Sequence, residues 1–189
     1  MGVFNTDTLV IEHPWGFGKV LLRTRYQVTV RDERDALLAT VAERSGPGAL
    51  KLVRMTQLSA STPFELAVTE PGGAPVLSIE KGFSLGKGEV RVADPTGSPI
   101  GSVRYHGPRD IRLSDPAGRT LCVLDDVARF EFGVLAKRGK DRVRRDTLRL
   151  APGLGHPVRT LAVATALAFE IIRGNGTATG NAGSSFPGA

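Results

Sequence analysis

The chain has 189 residues, 41% hydrophobic and 23% charged, enough for one domain with a sizeable core, since chains of about 150 residues bury roughly 70% of their unfolded surface. A net charge of +6 favours anionic partners, whether lipid, nucleic acid or an acidic protein. The single cysteine, Cys122, excludes an intrachain disulfide and fits a reducing, cytoplasmic setting.

The opening "MGVFNTDTLV" (1–10) lacks the basic and apolar regions of a secretory signal. Gly2 and Thr6 match a myristoylation pattern too short to be specific. "DTLVIE" (7–12) reads as a short strand, and "HPWGFGK" (13–19) as a loop with Trp15 and Phe17 at its tip, capping the barrel mouth or, as the alternative, entering a membrane interface. "VLLRTRYQVTV" (20–30) resumes the strand pattern.

A repeat follows. "YQVTVRDERDALLATVAE" (26–43), "FELAVTEPGGAPVLSIEK" (64–81), "VRVADPTGSPIGSVRY" (90–105) and "IRLSDPAGRTLCVLD" (111–125) each run strand, acidic turn, strand. Apolar residues alternate with polar ones, the period of a half-buried strand. In "DPTG" (94–97) and "DPAG" (115–118), Asp bonds the backbone ahead, Pro presets φ, and Gly accepts a positive φ. Such three-residue loops with a glycine bulge join antiparallel strands. Asp94 and Asp115 are therefore turn builders. "EPGG" (70–73) is a variant, and "DERD" (32–35) reads as looser. The short spacing predicts an antiparallel meander rather than a βαβ fold.

"ARFEFGVLAKRGKDRVRRDTLRL" (128–150) predicts another hairpin, with a strongly basic tip. "HPVRTLAVATALAFEIIRG" (156–174) is the one long helical pattern, with Pro157 at its start and Gly174 at its stop. Arg159, Glu170 and Arg173 share a narrow stripe, and the other faces are apolar or small. Such a helix is enclosed by protein or by lipid. Its roughly 22 Å falls short of a bilayer core of about 30 Å, so a buried helix without a transmembrane span is expected. "NGTATGNAGSSFPGA" (175–189) reads as a flexible tail after a single domain over 1–174. An open meander exposes edges. Mainly β structure, a closed antiparallel barrel of about twelve strands around the central C-terminal helix, removes them.

The most unusual segment is "KRGKDRVRR" (137–145). Lys137, Arg138, Lys140, Arg142, Arg144 and Arg145 make it a candidate ligand-binding site for phosphate-bearing headgroups. Its structural alternative is a solvated hairpin tip. His13, His106 and His156 form no metal-spaced pair, and no GxSxG, HExxH or P-loop pattern occurs. No enzyme, metal or cofactor is expected. Nucleic-acid binding lacks the basic-aromatic strand platform it needs.

The four hairpins followed by "RTLAVATALAFEII" (159–172) resemble the tubby-like C-terminal fold. The branch they look most like holds phospholipid scramblases and the plant LURP-one-related proteins. The resemblance covers about residues 7–173. It implies a barrel of about twelve strands around the helix, and a non-enzymatic domain that binds anionic phospholipids or phosphoinositides at the inner membrane face. A protein-interaction scaffold is the alternative. Calcium-dependent scrambling is a third reading, but "RRDTLRLAPGLGHP" (144–157) offers one acid, Asp146, where calcium takes six to eight oxygens. The cysteine cluster and Pro-rich leader of scramblases are absent from this sequence.

Overall fold

The computed structural model describes residues 2–15, 26–45, 63–83, 88–107 and 109–173. Phe17, the segment 20–25 and the expected tail 175–189 lie outside them. The first strand, β1 (Thr8–Trp15), is longer than expected, so His13 and Trp15 belong to a strand and not to a loop.

All four repeats form hairpins. They are β2 (Gln27–Arg31) with β3 (Leu37–Ser45), β4 (Phe64–Thr69) with β5 (Pro75–Lys81), β6 (Val90–Ala93) with β7 (Pro99–Gly107), and β8 (Asp110–Ser114) with β9 (Thr120–Val123). Their turns share one geometry. The N–H of the first turn residue donates to the carbonyl four residues on, and the N–H of the fourth donates back to the first. A register shift accompanies each turn, as a one-residue bulge requires. Gly73, Gly97 and Gly118 take the fourth position at φ of 84°, 88° and 80°. The "DERD" turn is not looser: it makes the same bonds, with Asp35 in the glycine position at φ 69°.

The hairpin expected over 128–150 forms as β10 (Ala128–Glu131), β11 (Leu135–Arg138) and β12 (Asp141–Leu150). Both β10 and β11 pair with β12, one after the other, so they act as one strand interrupted at Phe132–Val134. The twelve strands form one antiparallel sheet ordered β10-β12-β1-β2-β3-β4-β5-β6-β7-β8-β9, with β11 also on β12.

The sheet does not close into the expected barrel. Among the described residues no ladder joins the edge strands β9 and β10. Helix α1 (Leu124–Val127) lies between them in the chain, where an extension of β9 was expected. Its four residues span about 6 Å, so the end of β9 lies near the start of β10, and the two strands do not pair. The local reason is the pair Asp125 and Asp126: acids suit a first helical turn and are depleted in strands.

The long helix, α2 (Val158–Arg173), has the predicted extent. Every residue from Thr160 to Phe169 is buried. It touches β6, β7, β8 and β12, which come from separated parts of the ladder. Thr165 satisfies its own hydroxyl on the Leu161 carbonyl at 2.7 Å. Arg159 donates to Asp7 at 2.7 Å near the helix start, and the Tyr26 hydroxyl donates to the Leu167 carbonyl at 2.8 Å. No helix of the described residues is long and apolar enough to cross a membrane.

Gly97→Ala forces a side chain into the left-handed region and is expected to cost about 1–2 kcal/mol in chemical denaturation. Gly72→Ala, at ordinary φ with open space around it, stays within about 0.5 kcal/mol of the native protein.

Candidate functional site

Strands β1 and β12 pair with Ile11 opposite Asp146, Glu12 opposite Arg145, and His13 opposite Arg144. Side chains alternate between faces. Asp146, Arg144 and His13 therefore share the core face with Leu9, Ile11 and Leu148, while Glu12 and Arg145 share the other. Each face carries a buried carboxylate: Glu12 is 2% exposed and Asp146 0%. A buried charge is tolerated only when paired and hydrogen-bonded, and both are.

On the outer face, Arg145 Nε donates to Glu12 Oε1 at 2.8 Å. Arg138 reaches the same oxygen through Nε at 3.1 Å and Nη2 at 3.0 Å. Arg31 Nε donates to Oε2 at 3.0 Å, and the Thr29 hydroxyl adds a longer contact at 3.4 Å. Asp35 reaches in from the β2–β3 turn to accept from Arg138 and, at 3.2 Å, from Arg145. Burial pushes the Glu12 carboxyl up, but the bonds and charges of Arg138, Arg145 and Arg31 hold it below its ordinary value.

On the core face, Arg144 grips Asp146 in a two-pronged pair, Nε to Oδ1 at 3.1 Å and Nη2 to Oδ2 at 2.8 Å. His13 Nε2 lies 3.1 Å from Oδ2, without the alignment of a hydrogen bond. The Gly133 N–H donates to Oδ1 at 2.9 Å. That bond explains the break between β10 and β11, because the interrupted strand turns an amide toward the buried acid. A Cβ on Gly133 would lie 1.0 Å from the Arg145 carbonyl oxygen, so only glycine fits. Burial raises the Asp146 carboxyl, and His13, the Gly133 amide and Arg144 outweigh it and lower it.

The six sequence-predicted site residues thus divide. Arg138, Arg144 and Arg145 are committed to Glu12, Asp35 and Asp146. Lys137, Lys140 and Arg142 are exposed at the hairpin end, and none makes an ion pair with a described residue. Lys137 and Arg142 face one another across the strands, an unfavourable like-charge pair. Beside them stand Phe132, Val134 and Leu135, exposed by 40%, 79% and 52%. Phe132 leans on Phe130 and Phe169 with ring centroids 5.1 and 5.5 Å away. In sequence, Val134 and Leu135 lie between Phe132 and the cations of the hairpin.

Glu12, His13 and the role of Asp146 are what the sequence reading missed. The signal was present for Asp146, since period two places it on the face of Leu148 and Leu150. Among the described residues, no three His, Cys, Asp or Glu side chains gather as metal ligands do. Comparison with protein-family models, with curated proteins and with solved structures gives no match to this chain.

Both carboxyls sit below their ordinary values of 4.5 and 3.8 in the fold. As pH falls, the unfolded chain takes up their protons first. Their contribution is therefore complete above about pH 5 and drains as pH drops through the lowered folded values. Thermal melts from pH 7 to pH 2 should show this loss, with a shallower slope in Glu12→Gln and Asp146→Asn. Asp146→Ala, which removes the two-pronged partner of the half-buried Arg144, is expected to cost about 3–5 kcal/mol.

Proposed function

We propose that this chain is a non-enzymatic, tubby-like domain of the scramblase and LURP-one-related branch. It docks on anionic phospholipid at the inner, cytoplasmic membrane face, with the sheet wrapped about α2. The observation that carries the reading is the β11–β12 hairpin, where exposed Val134 and Leu135 at the start of β11 lead along the strand to the exposed cations Lys137 and Lys140, with Arg142 opposite Lys137. Apolar residues beside free cations suit an interface with hydrocarbon below and phosphate above. Each cation near an anionic surface contributes roughly 1 kcal/mol, and partial burial of Val134 and Leu135 adds a similar amount.

This reading narrows the six-residue site to three. Reversing the charge of Arg144 or Arg145 sets a like charge against buried Asp146 or Glu12, so loss of binding in such variants reports damage to the fold. The informative variant is Lys137→Glu, Lys140→Glu, Arg142→Glu. In co-sedimentation, the native protein is expected to bind phosphatidylserine vesicles in low salt, release them as salt rises, and ignore phosphatidylcholine. The triple variant should bind about 100-fold more weakly with an unchanged melting temperature, and Val134→Asp with Leu135→Asp should also weaken binding. Absence of native binding to phosphatidylserine vesicles in low salt overturns the lipid reading and turns attention to a protein partner.

A further inference from the structure

Three of the four repeat turns carry glycine at their left-handed position, and the fourth carries Asp35. Left-handed backbone costs a residue with a Cβ roughly 1–2 kcal/mol, although Asp is among the more tolerant. The position of its carboxylate accounts for the exception. Asp35 Oδ1 receives Nη2 of both Arg138 and Arg145, and the Asp35 carbonyl receives Arg31 Nη1 at 2.8 Å. Two guanidinium groups from one hairpin thus converge on one oxygen of another turn.

The two acids that serve this cluster differ. Glu12 is buried and binds the Nε sides of all three arginines. Asp35 is exposed and binds outward-facing Nη groups. A χ1 rotation swings the Asp35 carboxylate into solvent without unfolding its turn, because the turn is held by backbone bonds and by the Asp32 side chain. Once it has left, three guanidiniums face a single buried carboxylate. Asp141 stands opposite Arg138 in the ladder, so the cluster keeps an excess of positive charge that suits a phosphate monoester, and convergent Arg Nη groups are its preferred donors.

We propose that Arg31, Arg138 and Arg145 form a phosphate-monoester site on the outer face of the sheet, which the Asp35 carboxylate occupies as an internal competitor. The site is distinct from the hairpin end and uses the opposite face of β11 and β12. Its ligand is a phosphomonoester, whether on a lipid headgroup or in solution.

The test compares the native chain with Asp35→Gly and Asp35→Asn, using calorimetric titration with inorganic phosphate. Glycine is the residue of the other three turns, and Asn keeps the left-handed preference while removing the charge. Both variants are expected to bind phosphate at least about tenfold more tightly than the native chain. Adding Arg138→Gln should remove the gain, while the Lys137, Lys140 and Arg142 charge reversals should leave it intact. Vesicles then separate the sources. A gain on phosphatidic acid vesicles, without one on phosphatidylserine, identifies a lipid monoester, and a gain with free phosphate alone identifies a soluble ligand. Native affinity in both Asp35 variants overturns the proposal, as does a gain that survives Arg138→Gln or one equally large on phosphatidylserine vesicles.

Discussion

Two carboxylates buried back to back on the β1–β12 pair constrain this structure more than any other feature. Glu12 faces one way and Asp146 the other. Neither survives burial without cations, and the cations come from strands that the chain must bring alongside. Arg31 comes from β2, Arg145 and Arg144 from β12, and Arg138 from β11. The constraint joins the first strand to the last and folds the basic hairpin against the sheet. It even breaks β10 from β11 so that an amide can reach Asp146. Buried ion pairs are a weak source of net stability compared with apolar packing. Their effect here is on specificity, since a slip of one residue in the β1–β12 register would expose apolar side chains and strand both acids.

That constraint also divides the labour of a segment that looks uniformly basic. Three arginines hold the fold, and three other cations project beyond it without an ion pair to any described residue. A chain selected only for stability gains nothing from Lys137 facing Arg142, or from Val134 and Leu135 left bare beside them. The two features lie along one hairpin, the apolar pair at the start of β11 and the cations toward its turn. A surface bearing negative charge over an apolar interior relieves both at once, which is the physical content of the membrane reading. The arginine face behind it is different in kind: its charges are already met, and one of its partners sits where glycine otherwise stands.

Much of the architecture was legible because local chemistry and global pattern agree. The Asp-Pro-x-Gly turns announced hairpins, the period of two announced half-buried strands, and the apolar run from Val158 fixed α2 to within a residue or two. Closure was not legible, because it depends on edges meeting at a seam, and the Asp125–Asp126 pair puts a helical turn there. "DERD" misled because its fourth residue is not glycine. Asp35 adopts the same backbone, held by the turn's own bonds and the Asp32 side chain, and distant arginines bind its carboxylate. The basic run misled in the same way. Composition counts charges, whereas function depends on which are already paired, and the pairing partners Glu12 and Asp35 lie more than 100 residues away in sequence.

The most direct test of this division is the nuclear magnetic resonance spectrum of the arginine side chains. Guanidinium Nε–H groups held by carboxylates exchange slowly with water and give sharp, dispersed signals at neutral pH. Arg31, Arg138, Arg144 and Arg145 are expected to show such signals, and Arg142 is expected to exchange freely. Equal exchange across all five side chains, or a protected Arg142 beside an unprotected Arg138 and Arg145, would contradict the account at its centre.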